Sequence, residues 1–396
     1  MHRQADFNLW GKLTLNTALS ILLVGLMLHP PFGLCALPKR RFSEIDLGGI
    51  NVQKSEPSMT FGLDGLLYFA YREENSIGVL VINVDERKVL RATHIQVPKI
   101  DLPSGGSELK VSPDGSFLAY SESDTCLPLS FLAVLRTRDL SVISSAQIAR
   151  TADGKLQYPA GFSADTTAIM VYSVTRRSPS DHRVTIIYLD PNDLNHILDR
   201  KTADVYDGVD SHVVMDLNGA VWLYSNKKVD EKIFWFDPIR DQTYAGPVFS
   251  LRPTGQIGQS VALNDSILAL TSELTDKNGA FGRILRSPKD HPGSLQESRI
   301  NGCGFEQVSR SMIAPDQLFA VANCKAVGTT EFTFLPGIVN DAVVFNTRSL
   351  AVVGRFGLAK DEGPVALAVW HGDGQVVVAN TDPKHNKIQI HSYPRN

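Results

Sequence analysis

Helical periodicity, an excess of either charge, and cysteine are what this sequence lacks. No segment of the 396 residues sustains an apolar period of 3.6, which argues against an α/β enzyme built around amphipathic helices. The 39 basic and 42 acidic residues give a formal net charge of -3 and form no long runs. Without a basic face, nucleic acid is not an expected partner. The four cysteines include no pair at ligand spacing, the ten histidines are scattered, and no His-Glu-x-x-His occurs. No metal and no other cofactor is implied. A Gly-x-Ser-x-Gly nucleophile elbow is missing as well.

What is present is apolar material in short bursts. With 43% hydrophobic residues, the chain can bury a large core, as two or three domains or as one repeat assembly. The repeated unit is clearest in Val111-Ser-Pro-Asp-Gly-Ser-Phe-Leu-Ala-Tyr120. Pro presets φ, Asp can bond its own backbone and Gly takes angles other residues resist, so Ser112 to Gly115 reads as a hairpin turn. Positions equivalent to Asp114 are Asp64, Asp165, Asn218, Asp265, Asp316 and Asp373; successive anchors lie 50, 51, 53, 47, 51 and 57 residues apart. Seven anchors at a near-constant period predict seven copies of one supersecondary unit.

Three positions before each anchor sits Phe61, Val111, Phe162, Met215, Ala262, Ile313 or Trp370. That column is apolar throughout, as the buried side of a first strand should be. A second apolar run follows each turn, as in Leu66 to Tyr71, then a third (Val79 to Val84) and a fourth (Lys88 to Ile95). Four antiparallel strands in roughly 50 residues make one propeller blade. The expected fold is all-β, a seven-bladed β-propeller of four-stranded antiparallel blades forming a single domain over residues 37–396.

Residues 1–36 read as a secretory signal peptide. His2, Arg3 and Lys12 precede an uncharged run from Leu13 to Leu28, and small residues follow near Gly33 to Ala36. A secreted or periplasmic protein is expected. One rival is lipidation of Cys35, against which Leu34 occupies a place that lipoprotein signals give to a small residue. The other is an uncleaved anchor, the one route to a membrane, although the run falls short of the ~20 residues a spanning helix needs. The seventh copy stops after Lys387 to Tyr393 with three strands made, and Arg41 to Leu47 supplies a candidate fourth. Pairing the termini in the last blade would close the ring and remove an open edge.

Val343-Val-Phe-Asn-Thr-Arg-Ser-Leu-Ala-Val-Val-Gly-Arg-Phe, with Gly363-Pro-Val-Ala-Leu-Ala-Val and Gln375-Val-Val-Val-Ala-Asn-Thr, resembles the YVTN-type bacterial β-propeller repeat. Val111 to Ser121 is similar to the repeat of TolB-like propellers. The likeness rests on the blade skeleton, covers residues 50 to 393 unevenly and is weak in copies four and five. What it implies is a shape shared by surface and periplasmic binding proteins, lactonase-like hydrolases and quinoprotein subunits. The expected role is a monomeric, non-catalytic binding or interaction scaffold for a protein or small-molecule ligand. The alternative is a lactonase-like hydrolase with its site at the channel mouth.

By the same resemblance, ligands meet the mouth where each first strand begins. Six residues before each anchor stand Ser58, Glu108, Pro159, His212, Gln259, Arg310 and Leu367. Ser58, Glu108, His212, Gln259 and Arg310 are the candidate ligand-binding residues, with an acid, an imidazole and a fixed cation supplied by different blades. The competing reading has them satisfy backbone groups or each other. Asp207-Gly-Val-Asp-Ser-His212 invites a triad, but neighbours on a strand point to opposite faces, so Ser211 and His212 diverge.

Cys303 and Cys324 flank the sixth hairpin. A turn from Ala314 to Gln317 would set Cys324 opposite Gln307, with Cys303 about 13 Å further along the strand, whereas a disulfide needs Cα atoms within roughly 7 Å. Gly302 and Gly304 allow the segment to bend back and export favours oxidation, so this pair is the candidate disulfide and Cys126 an unpaired thiol. Two irregular inserts are expected. Lys325 to Asp341 would cap the channel or meet a partner, and Asp276 to Ser298 would form a solvated loop.

Overall fold

In the computed structural model, the Asp anchors of the sequence become Asx turns. Asp114 Oδ1 accepts the Ser116 N–H at 3.0 Å and the Ser112 hydroxyl at 2.6 Å, while Gly115 takes φ 76°. Asp64, Asp165 and Asp316 accept the same bond from the residue two positions on, at 3.1, 3.1 and 3.0 Å. Burial works against the Asp114 carboxylate, but hydrogen bonds from Ser112 and Ser116 outweigh it and hold the carboxyl below its usual range. Bonds from Ser163 and Thr167 lower Asp165 likewise.

The structure describes residues 41–52, 57–97, 107–123, 129–147, 156–158, 161–178, 181–206, 212–215, 221–224, 230–237, 242–250, 256–275, 279–291, 294–302, 304–305, 311–325, 340–358 and 365–394. They form seven four-stranded antiparallel sheets. Sheet one comprises Ser58–Phe61, Leu67–Arg72, Ser76–Asn83 and Lys88–Gln96. Sheet two comprises Ser107–Val111, Phe117–Ser123, Leu129–Arg136 and Val142–Gln147. Sheet six contains Ser311–Ile313, Phe319–Lys325, Asn340–Asn346 and Val352–Gly357. Sheet seven runs Leu367–Gly372, Gln375–Asp382, Lys387–Pro394, and its fourth strand is Arg41–Asp46. Arg41 stands opposite Ser392 and Asp46 opposite Lys387. Lys387 Nζ donates to Glu44 at 2.8 Å. The signal-peptide segment lies outside the described residues.

The core lies between sheets rather than within one. Phe61, Phe69, Ile45 and Ile388 fill the seam between sheets one and seven; Tyr68, Tyr120, Leu109 and Phe131 fill that between one and two; Phe319, Val344, Phe356 and Val378 fill that between six and seven. We call the end where each first strand starts the upper end. At the lower end the hairpin turns interlock from sheet to sheet. The Asn264 N–H donates to Gln317 Oε1 at 2.8 Å, His371 Nδ1 meets Asp316 Oδ2 at 2.5 Å, and Trp370 lies against Gly65.

Sheets two and six are also stitched internally at that end. Buried Thr347 donates its hydroxyl to the Gln317 carbonyl at 2.5 Å, and Thr137 donates to the Gly115 carbonyl at 2.7 Å. These bonds tie the outer hairpin to the inner one. Thr347→Ala strands a shielded carbonyl and should cost about 1–3 kcal/mol, read as a lower urea midpoint at unchanged slope. Wild-type stability in that variant would show the tie to be idle.

Three details depart from the sequence reading. The sixth turn has four loop residues, Ala314 N–H donating to the Phe319 carbonyl, so the pairing Ser311 to Ala322 is shifted by two residues from the one expected. In sheet seven the loop shrinks to Asp373 and Gly374, with φ 50° and 72°, a type I′ hairpin. Trp370 consequently packs toward sheet one and Leu367 toward sheet six, the reverse of their counterparts Phe61 and Ser58 relative to their neighbours. Third, the expected loop Asp276 to Ser298 contains a strand. Gly279–Pro288 is a full strand paired with Ser266–Thr275. Its alternation was hidden by arginines whose stems are buried: Arg283 meets Glu297 at 3.2 Å and Arg286 meets Asp265 at 2.9 Å. The Lys325 to Asp341 insert falls mostly outside the described residues.

Lys289 follows that strand. Burial pushes its ammonium down from 10.5 to about 8, with Asp290 opposing. Because the folded value lies below the unfolded one, the cost of burying the cation is present in full below pH 8. It is relieved as pH rises from about 8 to 10.5, where the unfolded chain holds more protons. Lys289→Met should raise the urea midpoint at pH 7 and lose that advantage by pH 10.5. A gain that is the same at both pH values would contradict the assignment.

Candidate functional site

At the upper end the second strands of sheets one, two and seven carry a charge at or next to their last residue. The apolar run Leu67–Tyr71 ends at Arg72, Phe117–Ser121 is followed by Glu122, and Gln375–Thr381 ends at Asp382. Alternation along these strands sends the terminal side chains into the seams or over their rim. Arg72 Nη1 donates to Glu122 Oε2 at 3.4 Å, joining sheets one and two, with the two side chains 15% and 6% exposed. A buried pair of this kind contributes little net stability, but breaking it leaves an uncompensated charge.

Beside it stands a second polar group. Tyr71 Oη and His94 Nε2 are 3.4 Å apart, His94 Nε2 and Glu73 Oε2 3.7 Å apart, and the Ser76 hydroxyl donates to Glu73 at 2.7 Å. Burial raises the Tyr71 phenol above its usual range, and the Glu73 charge adds to the effect. A third group occupies sheet seven. His385 Nδ1 lies 2.9 Å from Asp382 Oδ2, which also accepts the Gln389 amide at 3.0 Å. Behind them buried Asn380 contacts Gln389 at 3.4 Å and His391 at 2.8 Å.

The residues predicted from the sequence are dispersed. Ser58 turns into the seam toward sheet two and is buried, its hydroxyl having no hydrogen-bond partner. Glu108 is exposed and pairs with Lys110 at 3.2 Å. His212 and Gln259 lie on strands His212–Met215 and Gln256–Ala262, but their side chains, like Arg310 and Pro159, fall outside the described residues. Leu367 is buried. Cys324 is disulfide-bonded; Cys303 lies outside the described residues. Counting back along the first strand missed Arg72, Glu122 and Asp382, because the upper rim is built as much from second-strand ends. Their signal in the sequence is a charge closing each apolar run.

Chemically, the upper end offers hydrogen-bond donors, acceptors and paired charges on fixed strands. Among the described residues no cluster of three His, Cys, Asp or Glu could hold a metal ion. No family model and no curated protein matches the chain. Among solved structures it is similar to oligogalacturonate lyase from Vibrio parahaemolyticus, at 12% identity over 91% of this chain and 99% of that one, with a TM-score of 0.53. It is also similar to an oligogalacturonate lyase in complex with manganese (11% identity, 91% and 98% covered, TM-score 0.51). A third is hydrazine synthase from Kuenenia stuttgartiensis (10% identity, 87% and 98% covered, TM-score 0.52). At such identity these likenesses speak for shape alone: an all-β fold of four-stranded antiparallel sheets of the β-propeller type.

Proposed function

We propose that the seven sheets are the blades of one closed ring of YVTN- or TolB-like kind, exported by residues 1–36, and that the ring is a rigid scaffold binding a polar ligand or a protein at its upper end. The observation that carries this reading is the contrast between the two ends. Lower turns lock one sheet to the next through Asn264–Gln317, Asp316–His371 and Trp370–Gly65, whereas the upper rim presents Glu108, Glu73 and His94 half-exposed on strands the seams hold fixed. Preorganised polar groups on a rigid frame suit recognition, since little ordering entropy is lost on binding. The ring would be completed by Arg41–Asp46, and a Cys303–Cys324 disulfide would pin the chain between sheets five and six.

Thermal shift of residues 37–396 against sugars, peptides, lactones and divalent ions tests the site. A stabilising compound whose effect disappears in a Glu108→Ala, His212→Ala, Arg310→Ala triple variant supports an upper-end small-molecule site. No response from the folded protein directs the search to macromolecular partners. Turnover of a lactone, abolished by His212→Ala, would replace the scaffold reading with a hydrolase.

A further inference from the structure

We propose that Asp382 and His385 form an oriented imidazole base at the upper end of sheet seven, set to take a proton from a hydroxyl of a bound ligand or from a water beside it. This goes beyond the scaffold reading, and its test needs no knowledge of the natural ligand.

His385 Nδ1 and Asp382 Oδ2 are hydrogen-bonded at 2.9 Å. An ionised carboxylate can only accept, so Nδ1 carries the proton and Nε2 of the neutral ring holds the lone pair. Asp382 is fixed from behind by the Gln389 amide at 3.0 Å and in front by the His385 backbone N–H at 3.3 Å. Its side chain is 8% exposed while that of His385 is 58% exposed. A buried, doubly held carboxylate thus orients a ring that is itself more than half exposed. That is the division of labour by which a carboxylate sets the tautomer of a catalytic imidazole and faces the imidazolium once a proton arrives.

Among the described residues, three other carboxylate–imidazole pairs show why this one is singled out. His94 and His196 are open to solvent, but each stands 3.7 Å from its carboxylate, too far for a hydrogen bond. His371 is bonded to Asp316, yet its Nε2 is buried against the protein. Of the four, His385 alone combines the bond with a ring open to solvent. Asp382 could also be read as a tie for the turn it closes. A tie would affect stability only, and would leave the ring's tautomer and reactivity indifferent to Asp382.

The chemistry balances without a cofactor. Water gives a proton to Nε2 as its oxygen bonds to an acyl carbon. The bond from that carbon to the leaving oxygen breaks, and the proton passes from the imidazolium to the leaving group or to buffer. An activated ester, p-nitrophenyl acetate, serves as the probe on the full chain. Hydrolysis by wild type should fall about tenfold in His385→Gln and in Asp382→Asn, less than the roughly hundredfold at the low end of general-base contributions because the probe is not a bound, oriented substrate, and change less than about twofold in His196→Gln. Equal rates in wild type and His385→Gln, or an Asp382→Asn rate that matches wild type, would overturn the proposal. Should Asp382→Asn fail to fold, long-range proton–nitrogen NMR of the native His385 ring decides: an Nδ1–H tautomer is expected, and an Nε2–H tautomer overturns it.

Discussion

A chain that begins at residue 51 should melt about 10 °C or more below one that begins at residue 37. The segment removed holds Arg41–Asp46, whose six residues pair along Lys387–Pro394. Ile45 and Leu47 are 3% and 6% exposed, and burying each is worth roughly 1.5–3 kcal/mol. The backbone bonds lost add roughly 0.5–1.5 kcal/mol apiece. Removal would also bare Ile388 and Ile390, which share the seam with Phe61 and Phe69, and leave the edge of the Lys387–Pro394 strand unpaired. For a domain of this size a loss of several kcal/mol moves the midpoint by a few degrees per kcal/mol or less. Differential scanning calorimetry of the two chains makes the comparison. Matching midpoints would mean that the N-terminal strand contributes nothing and that the proposed closure is wrong.

Why this strand could be anticipated is instructive. A missing fourth strand at one end of the sequence and a spare alternating segment at the other are both countable from the residues. The turn anchors were legible for the same reason, since Asp114 and its equivalents act within two residues of themselves. Register was harder. It depends on loop length, and the change from four loop residues in sheet six to two in sheet seven turns Trp370 and Leu367 to the opposite seams. The site was harder still. Arg72 and Glu122 meet across 50 positions of sequence, and His385 reads as a surface loop residue until Asp382 is seen buried behind it. Strand Gly279–Pro288 was obscured by Arg283 and Arg286, polar by composition but buried along most of their length.

Gly78→Ala is the substitution whose sign the seam geometry reverses. Glycine inside a strand is ordinarily worse than alanine by roughly 0.5–1 kcal/mol, because it loses more freedom on folding. Gly78 stands directly opposite Tyr71, and the phenol ring lies across it. A Cβ there would come within 2.1 Å of Tyr71 Cζ and 2.5 Å of its hydroxyl oxygen. The ring has little room to move, being buried, stacked on Phe69 at 5.9 Å and directed toward His94. Overpacking should therefore dominate and cost about 2–3 kcal/mol. In a Tyr71→Ala chain the obstacle is gone, and adding Gly78→Ala should be neutral or stabilise by up to about 1 kcal/mol. The coupling from urea denaturation of the four chains isolates the contact; an equal cost of Gly78→Ala in both backgrounds would show that backbone conformation at residue 78, rather than the ring, demands glycine. The same arrangement recurs where Gly354 lies under Tyr393, at 2.5 Å from the position of a Cβ, and where Gly282 lies beside Phe305 at 2.9 Å. Third- and fourth-strand glycines are thus where the seams accept an aromatic ring, and it is by such rings that one sheet is keyed to another or to its own rim.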